Sequence, residues 1–196
     1  MTVPDDVLLR LVAAARSHPV GLGRTRLVVV DGPAGSGKTT LASQLEAALA
    51  VRVVHMDDLY DGWTGLRAGV RTLVEDVLAP LSIGLPGSYR RFDWERGEYA
   101  ETREVPVCAT LLVEGCGSAP PEVDEHDAFV VWVEADDEVR LARGLARDGA
   151  ASRPEWERFM RDERELYGEH RTAERAHVRL DGVGRWVGAG AARVRR

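Results

Sequence analysis

The chain is 196 residues long and carries 26 Lys and Arg against 32 Asp and Glu, a formal net charge of −6, with 44% hydrophobic and 30% charged residues. This composition excludes wholesale disorder, and the acidic balance leaves no overall electrostatic footprint for nucleic acid or an anionic membrane. Cys108 and Cys116 are the only cysteines, with no C-x-x-C and no histidine at metal spacing, so they read as two reduced thiols in or beside a buried strand.

A chain of this length fits one domain, residues 1–196, able to bury roughly 70% of its unfolded surface. Acidic Asp5 and Asp6 occupy the region where a leader would be basic, and no apolar run approaches about 18 residues, so the expected compartment is the cytoplasm. Residues 3–17 place Val7, Leu8, Leu11, Val12 and Ala15 at helical spacing before Pro19 and Gly21, which predicts a packing helix within residues 1–20.

A β-branched run, Leu27 to Val30, then delivers the chain to Asp31, and Gly32 to Thr39 satisfies G-x-x-x-x-G-K-[ST] in full. Glycines let successive N–H groups turn inward toward phosphate oxygens, and the helix predicted over 38–50 adds its N-terminal dipole. Lys38 can reach the terminal phosphates and the Thr39 hydroxyl can hold Mg²⁺. The candidate phosphate contacts of ATP are Gly32, Ala34, Gly35, Ser36, Gly37, Lys38, Thr39 and Thr40.

Val51, Val53 and Val54 predict a second strand, after which come Met56, Asp57, Asp58, Leu59 and Tyr60. In open parallel sheets ligands lie beyond the carboxyl ends of the strands, so Asp57 should share a rim with the phosphate loop. There it could accept a proton from a hydroxyl or order water around Mg²⁺; strand-end turn chemistry is the plain alternative. The spacing of Val70, Leu73, Val74, Val77, Leu78 and Leu81 predicts a helix over 70–81 with Pro80 near its end.

Tyr89, Arg90, Arg91, Phe92, Asp93 and Trp94 interleave aromatic rings with charge, which suits either a substrate-stacking segment or a hairpin with one face on the core. A strand over Leu111 to Glu114 ends in a carboxylate that could order the water shell of the metal. Pro120 to Asp127 reads as a polar loop, and Phe129 to Val133 as a further strand. From Asp136 a helix carries Arg140, Arg143 and Arg147 on one face, and Arg143 and Arg147 are candidates to neutralise a transferring phosphoryl group. Gly149 to Arg153 breaks that helix before another opens at Pro154, as a water-excluding lid over about 144–156 would require, although a plain turn satisfies the pattern too. Val178 to Leu180 reads as a last short strand, followed by a tail over 185–196 that is Gly- and Arg-rich from Gly188.

Four pieces in order, GPAGSGKTT, MDDLY, LLVEG and RLARGLARD, resemble the uridine kinase branch of the P-loop kinases, and ERAHVRLDG resembles the closing segment of such kinases. The resemblance implies an α/β fold, a three-layer α/β/α sandwich with a mainly parallel five-stranded sheet and a helical lid, using ATP and Mg²⁺ to phosphorylate a hydroxyl of a small molecule, foremost a pyrimidine nucleoside. It implies Asp57 as the proton acceptor, Lys38, Arg143 and Arg147 as catalytic cations, Thr39, Asp57 and, through water, Glu114 at the metal, and Tyr60 near the acceptor. Asp58 stands where the family usually has serine, Leu59 where it has phenylalanine, and Gly144 where a second arginine often follows. YRRFDW matches only loosely, which leaves Arg90, Arg91, Phe92, Asp93 and Trp94 as acceptor candidates. Another metabolite, a nucleotide or an antibiotic hydroxyl as acceptor, or a nucleotide-dependent regulatory NTPase, are the competing readings. No nucleic acid or membrane partner is expected, and oligomeric state is not encoded in any motif.

Overall fold

The computed structural model describes residues 3–187; the Gly- and Arg-rich end from Gly188 lies outside the described residues. Five strands form one parallel sheet: β1 (Arg26–Asp31), β2 (Arg52–His55), β5 (Thr110–Glu114), β6 (Phe129–Glu134) and β7 (Val178–Asp181), in the order β2-β5-β1-β6-β7. The phosphate-loop strand β1 is therefore central, and the chain leaves β1, β2 and β5 on the same rim.

Strand alternation divides the core in two. Val28 and Val30 of β1, Leu112 of β5 and Val131 and Val133 of β6 pack against α1 (Asp5–Ser17) and α2 (Lys38–Leu49). Leu27, Val29, Leu111, Val113 and Val130 face the opposite layer, which includes α3 (Leu66–Thr72) and its continuation and α6 (Arg153–His170). With both faces covered, the strands read as unbroken apolar runs. Among the described residues no helix is long and apolar enough to cross a membrane.

The helix expected over 70–81 starts earlier and is not uniform: α3 widens into a π-helical segment, Leu73–Leu78, before α4 (Ala79–Ser82). Pro80 lacks the N–H that the Asp76 carbonyl would accept and would crowd that carbonyl in a regular turn, and the wide turn upstream relieves the conflict. The aromatic segment forms an antiparallel hairpin, β3 (Gly87–Asp93) with β4 (Glu98–Val105), separate from the main sheet. The break after α5 (Asp137–Asp148) is Gly149, at φ 90°, and a 3₁₀ turn over Ala150–Ser152; a short α7 (Thr172–Arg175) leads from α6 to β7.

Candidate active site

The loop between β1 and α2 is wound so tightly that its glycines cannot be replaced. A Cβ at Gly32 (φ 144°) would lie 2.0 Å from the Val133 carbonyl oxygen, and one at Gly35 (φ 77°) 2.7 Å from that of Arg140. Side chains from distant elements brace it. Asp31, fully buried at the end of β1, accepts the Gly32 and Gly117 N–H groups on Oδ1 at 2.6 and 3.0 Å and the Ala119 N–H on Oδ2 at 2.8 Å. The Tyr167 hydroxyl of α6 lies 2.8 Å from Asp31 Oδ1 and 2.7 Å from the Gly32 carbonyl. Burial pushes the Asp31 carboxyl up, and these donors, with the charge of Lys38, pull against that.

Glu163 of α6 accepts the Ala34 N–H at 2.8 Å and pairs with Arg140 at 2.5 Å, while Arg140 donates to the Ala34 carbonyl at 2.9 Å. Both side chains of that pair are almost fully buried, and Arg140 also pairs with the more exposed Asp137 at 2.6 Å, so it is Glu163 that would lose its contacting cation if Arg140 were removed. Arg143, expected at the phosphoryl group, lies under the loop instead: its Nη1 donates to the Gly35 carbonyl at 3.1 Å and its Nη2 to the Gly182 carbonyl at 3.3 Å.

Two features of the loop fit a bound polyanion. Lys38 is 6% exposed, yet among the described residues its ammonium meets only the Pro33 carbonyl at 3.0 Å and the Cys116 thiol at 3.5 Å, with no carboxylate in contact. Burial disfavours its charge, but Cys116 and the carboxylates of Glu114, Glu163 and Asp31 outweigh burial, so its pKa is raised and it stays charged. The Ser36 hydroxyl is buried with no hydrogen-bond partner among the described residues. A buried cation and an orphaned donor on one glycine-rich loop are what phosphate oxygens would satisfy.

A cavity of about 300 Å³ opens from this loop. Ala34, Gly35, Lys38 and Thr39 form one end, Asp57, Tyr60, Glu114, Gly115 and Cys116 line it at the ends of β2 and β5, and Trp63, Trp94, Arg147, Asp148, Trp156 and Phe159 complete it. Trp63 meets Trp94, Trp156 and Phe159 edge to face, with centroids 5.7, 5.9 and 6.2 Å apart. Asp57 is exposed at the cavity, yet the surrounding protein crowds water from its carboxyl, which is raised by that desolvation first and by Glu114 second, opposed by Lys38 and Arg147. Glu114 lies 3.5 Å from the Thr39 hydroxyl and 2.7 Å from His55 Nδ1, and its hydrogen bond raises the His55 pKa. Thr39 directly and Glu114 through water would suit a magnesium ion. No group of three or more His, Cys, Asp or Glu that could hold a metal occurs among the described residues.

The structure brings Lys38, Thr39, Asp57, Tyr60, Glu114, Trp94 and Arg147 to one cavity, and it places other candidates elsewhere. Arg147 is paired with its neighbour Asp148 at 2.7 and 3.0 Å and stacks over Trp156. The Tyr60 hydroxyl donates to the Cys116 carbonyl at 2.6 Å, so its oxygen is engaged within the protein. Arg90 donates to the Tyr99 carbonyl, Arg91 pairs with Glu101, Phe92 packs between Trp94 and Tyr99, and Asp93 caps the hairpin turn through the Glu95 and Arg96 N–H groups. None of these four lines the cavity. Trp63, Cys116, Trp156 and Phe159 carry no motif, and Asp148 closes RLARGLARD without a role being read for it; Trp156 and Phe159 show in the sequence only as an apolar helix face.

A sequence model described as an AAA domain matches residues 28–168. No curated protein matches the chain in sequence. A solved structure described as a possible uridine kinase from Bacillus stearothermophilus superposes with a TM-score of 0.64 at 22% identity, covering 90% of this chain and 98% of that one. One provisionally described as a fructose transport system kinase from Silicibacter sp. gives 0.61 at 21% identity over 83% and 93%. D-glycerate 3-kinase from Cryptococcus neoformans gives 0.54 at 13% identity over 93% and 96%. At these identities the likeness is one of fold, the three-layer α/β fold of P-loop kinases.

Proposed function

The chain belongs to the AAA domain family, and from that premise we propose that it is an ATP- and Mg²⁺-dependent phosphotransferase acting on a hydroxyl of a small molecule, foremost an uncharged nucleoside. The observation that carries this reading is the single cavity onto which Lys38 and Thr39, Asp57 and Arg147 converge beneath aromatic walls. The acceptor oxygen bonds to the γ phosphorus, its proton passes to the Asp57 carboxylate, and the bond to the ADP oxygen breaks. Lys38 and the loop amides hold the triphosphate, Arg147 leaves Asp148 to neutralise charge on the moving group, and the rings exclude water. Thr39 and, through water, Glu114 would hold Mg²⁺, which supplies neutralisation of phosphate charge.

An uncharged acceptor is favoured over a nucleotide or sugar phosphate because, among the described residues, the cations lining the cavity are Lys38 and Arg147, both assigned to ATP, and Arg90 and Arg91 are engaged elsewhere. The test is ATP consumption against uridine, cytidine, pantothenate-like alcohols and sugar phosphates, with native protein and Asp57→Asn. A nucleoside should be turned over, and the variant should lose roughly 10²- to 10⁴-fold. Equal product from both would remove Asp57 as the base, and nucleotide binding without turnover of any acceptor would favour a regulatory NTPase.

A further inference from the structure

The Asp57–Asp58 turn presents two carboxylates to different places. Met56–Asp58 is a single 3₁₀ turn, on which neighbouring side chains diverge by about 120°, and only Asp57 lines the cavity. Asp58 Oδ2 instead accepts from Arg103 Nη1 at 2.8 Å and from the Tyr89 hydroxyl at 3.3 Å, both on the β3–β4 hairpin. From the same hairpin, Trp94 Nε1 donates to the Asp57 carbonyl at 2.8 Å.

We propose that Asp58 is a positioning residue: with Arg103 and Tyr89 it latches the hairpin to the turn that carries the base, and so sets the Trp94 wall of the acceptor site. The hairpin shares no strand pairing with the main sheet. Its base is held by backbone contact, since a Cβ at Gly87 would lie 2.8 Å from both the Asp76 carbonyl oxygen and Val77 Cα. Further along, Tyr89 and Val105 pack in the core and Trp94 meets Trp63 edge to face, and the polar contacts that fix the hairpin to the catalytic rim are the three hydrogen bonds at Asp57 and Asp58. The Asp58 side chain is 19% exposed against 44% for Arg103, so the pair is partly shielded from water and its hydrogen bond is charge-assisted. The Tyr89 hydroxyl, pushed up to about 12 chiefly by burial and then by Asp58, remains a proton donor throughout the neutral range. The nucleotide end has its own braces on α5 and α6, so loosening the latch should disturb the acceptor side alone.

The kinetic part of this inference rests on the kinase reading, whereas the structural part does not. Asp58→Ala, Arg103→Gln, the double variant and the milder Tyr89→Phe are compared with native protein by amide hydrogen exchange over residues 87–105. The emission of Trp94 is isolated by difference against Trp94→Phe, and the affinity for an ATP analogue and the acceptor KM and kcat are measured. Each latch variant should speed hairpin exchange and shift Trp94 emission to the red. Acceptor KM should rise between roughly ten- and a hundredfold with a smaller change in kcat and none in analogue affinity. The double variant should be no worse than the single ones, and Arg103→Lys should recover part of the loss. Unchanged exchange and emission in Asp58→Ala and Arg103→Gln, or additive effects in the double variant, would overturn the latch. Loosened exchange and shifted emission in a protein that turns over no acceptor would support the latch and overturn the kinase reading.

Discussion

Gly144 sits in the middle of α5, where glycine weakens a helix, and its reason lies in Trp156. An added Cβ would fall 2.3 Å from Trp156 Cε2 and Cζ2 and 2.7 Å from Cδ2. That ring is 1% exposed and tethered by its Nε1–H to Asp148 at 2.9 Å, so it cannot step aside without breaking a bond or leaving its place in the cavity wall. Gly144→Ala gains about 1 kcal/mol of helix propensity and incurs about 1–3 kcal/mol of overpacking, a net loss of about 0–2 kcal/mol. At about 2–4 °C per kcal/mol for a domain of this size, Tm should fall by up to about 8 °C, with a change in tryptophan emission. In a Trp156→Leu background the ring is gone and only the propensity gain remains, so the same substitution should become stabilising. Thermal and urea unfolding of the four proteins decide it; a Gly144→Ala that stabilises both backgrounds would refute the reasoning.

Lys38→Met removes a buried cation whose charge the surrounding carboxylates favour despite burial, so the nucleotide-free protein should lose some Tm. Native protein with ATP at a hundredfold its Kd should be stabilised by about 2.7 kcal/mol, about 5–11 °C, and the variant should lose that shift in the same thermal assay. His18 and His177 meet edge to face at 4.8 Å and each packs at a tilt against Phe129, and burial lowers both pKa values, with the His18 charge adding to the effect at His177. Because their folded pKa values are depressed, their contribution is present above the unfolded value near 6.5 and is lost as pH falls through the folded ones. Tm measured from pH 8 to pH 5 should drop more steeply for native protein than for a His18→Phe, His177→Phe double variant; equal slopes would exclude the pair as the cause.

The phosphate loop and the five strands were legible in the sequence because their signals are short-range. Eight consecutive residues dictate the loop's winding, and runs such as Leu27–Val30 and Leu111–Val113 mark strands buried on both faces. The helix over 70–81 was visible by its period but not by its π segment, because Pro80 acts on the turn before it. Side-chain direction was another matter. Arg140, Arg143 and Arg147 share a helix face by spacing, yet one is buried with Glu163, one is turned under the loop, and only Arg147 lines the cavity. The aromatic wall of the cavity joins Trp63 after β2, Trp94 on the hairpin and Trp156 and Phe159 on α6, segments with no local reason to meet. Local geometry follows from backbone sterics within a turn or two, so sequence alone determined where a phosphate can be gripped. What lies opposite that grip depends on how far each helix is rotated and where the hairpin docks, which long-range packing around residues such as Gly144 and Gly87 decides only once the whole chain has folded.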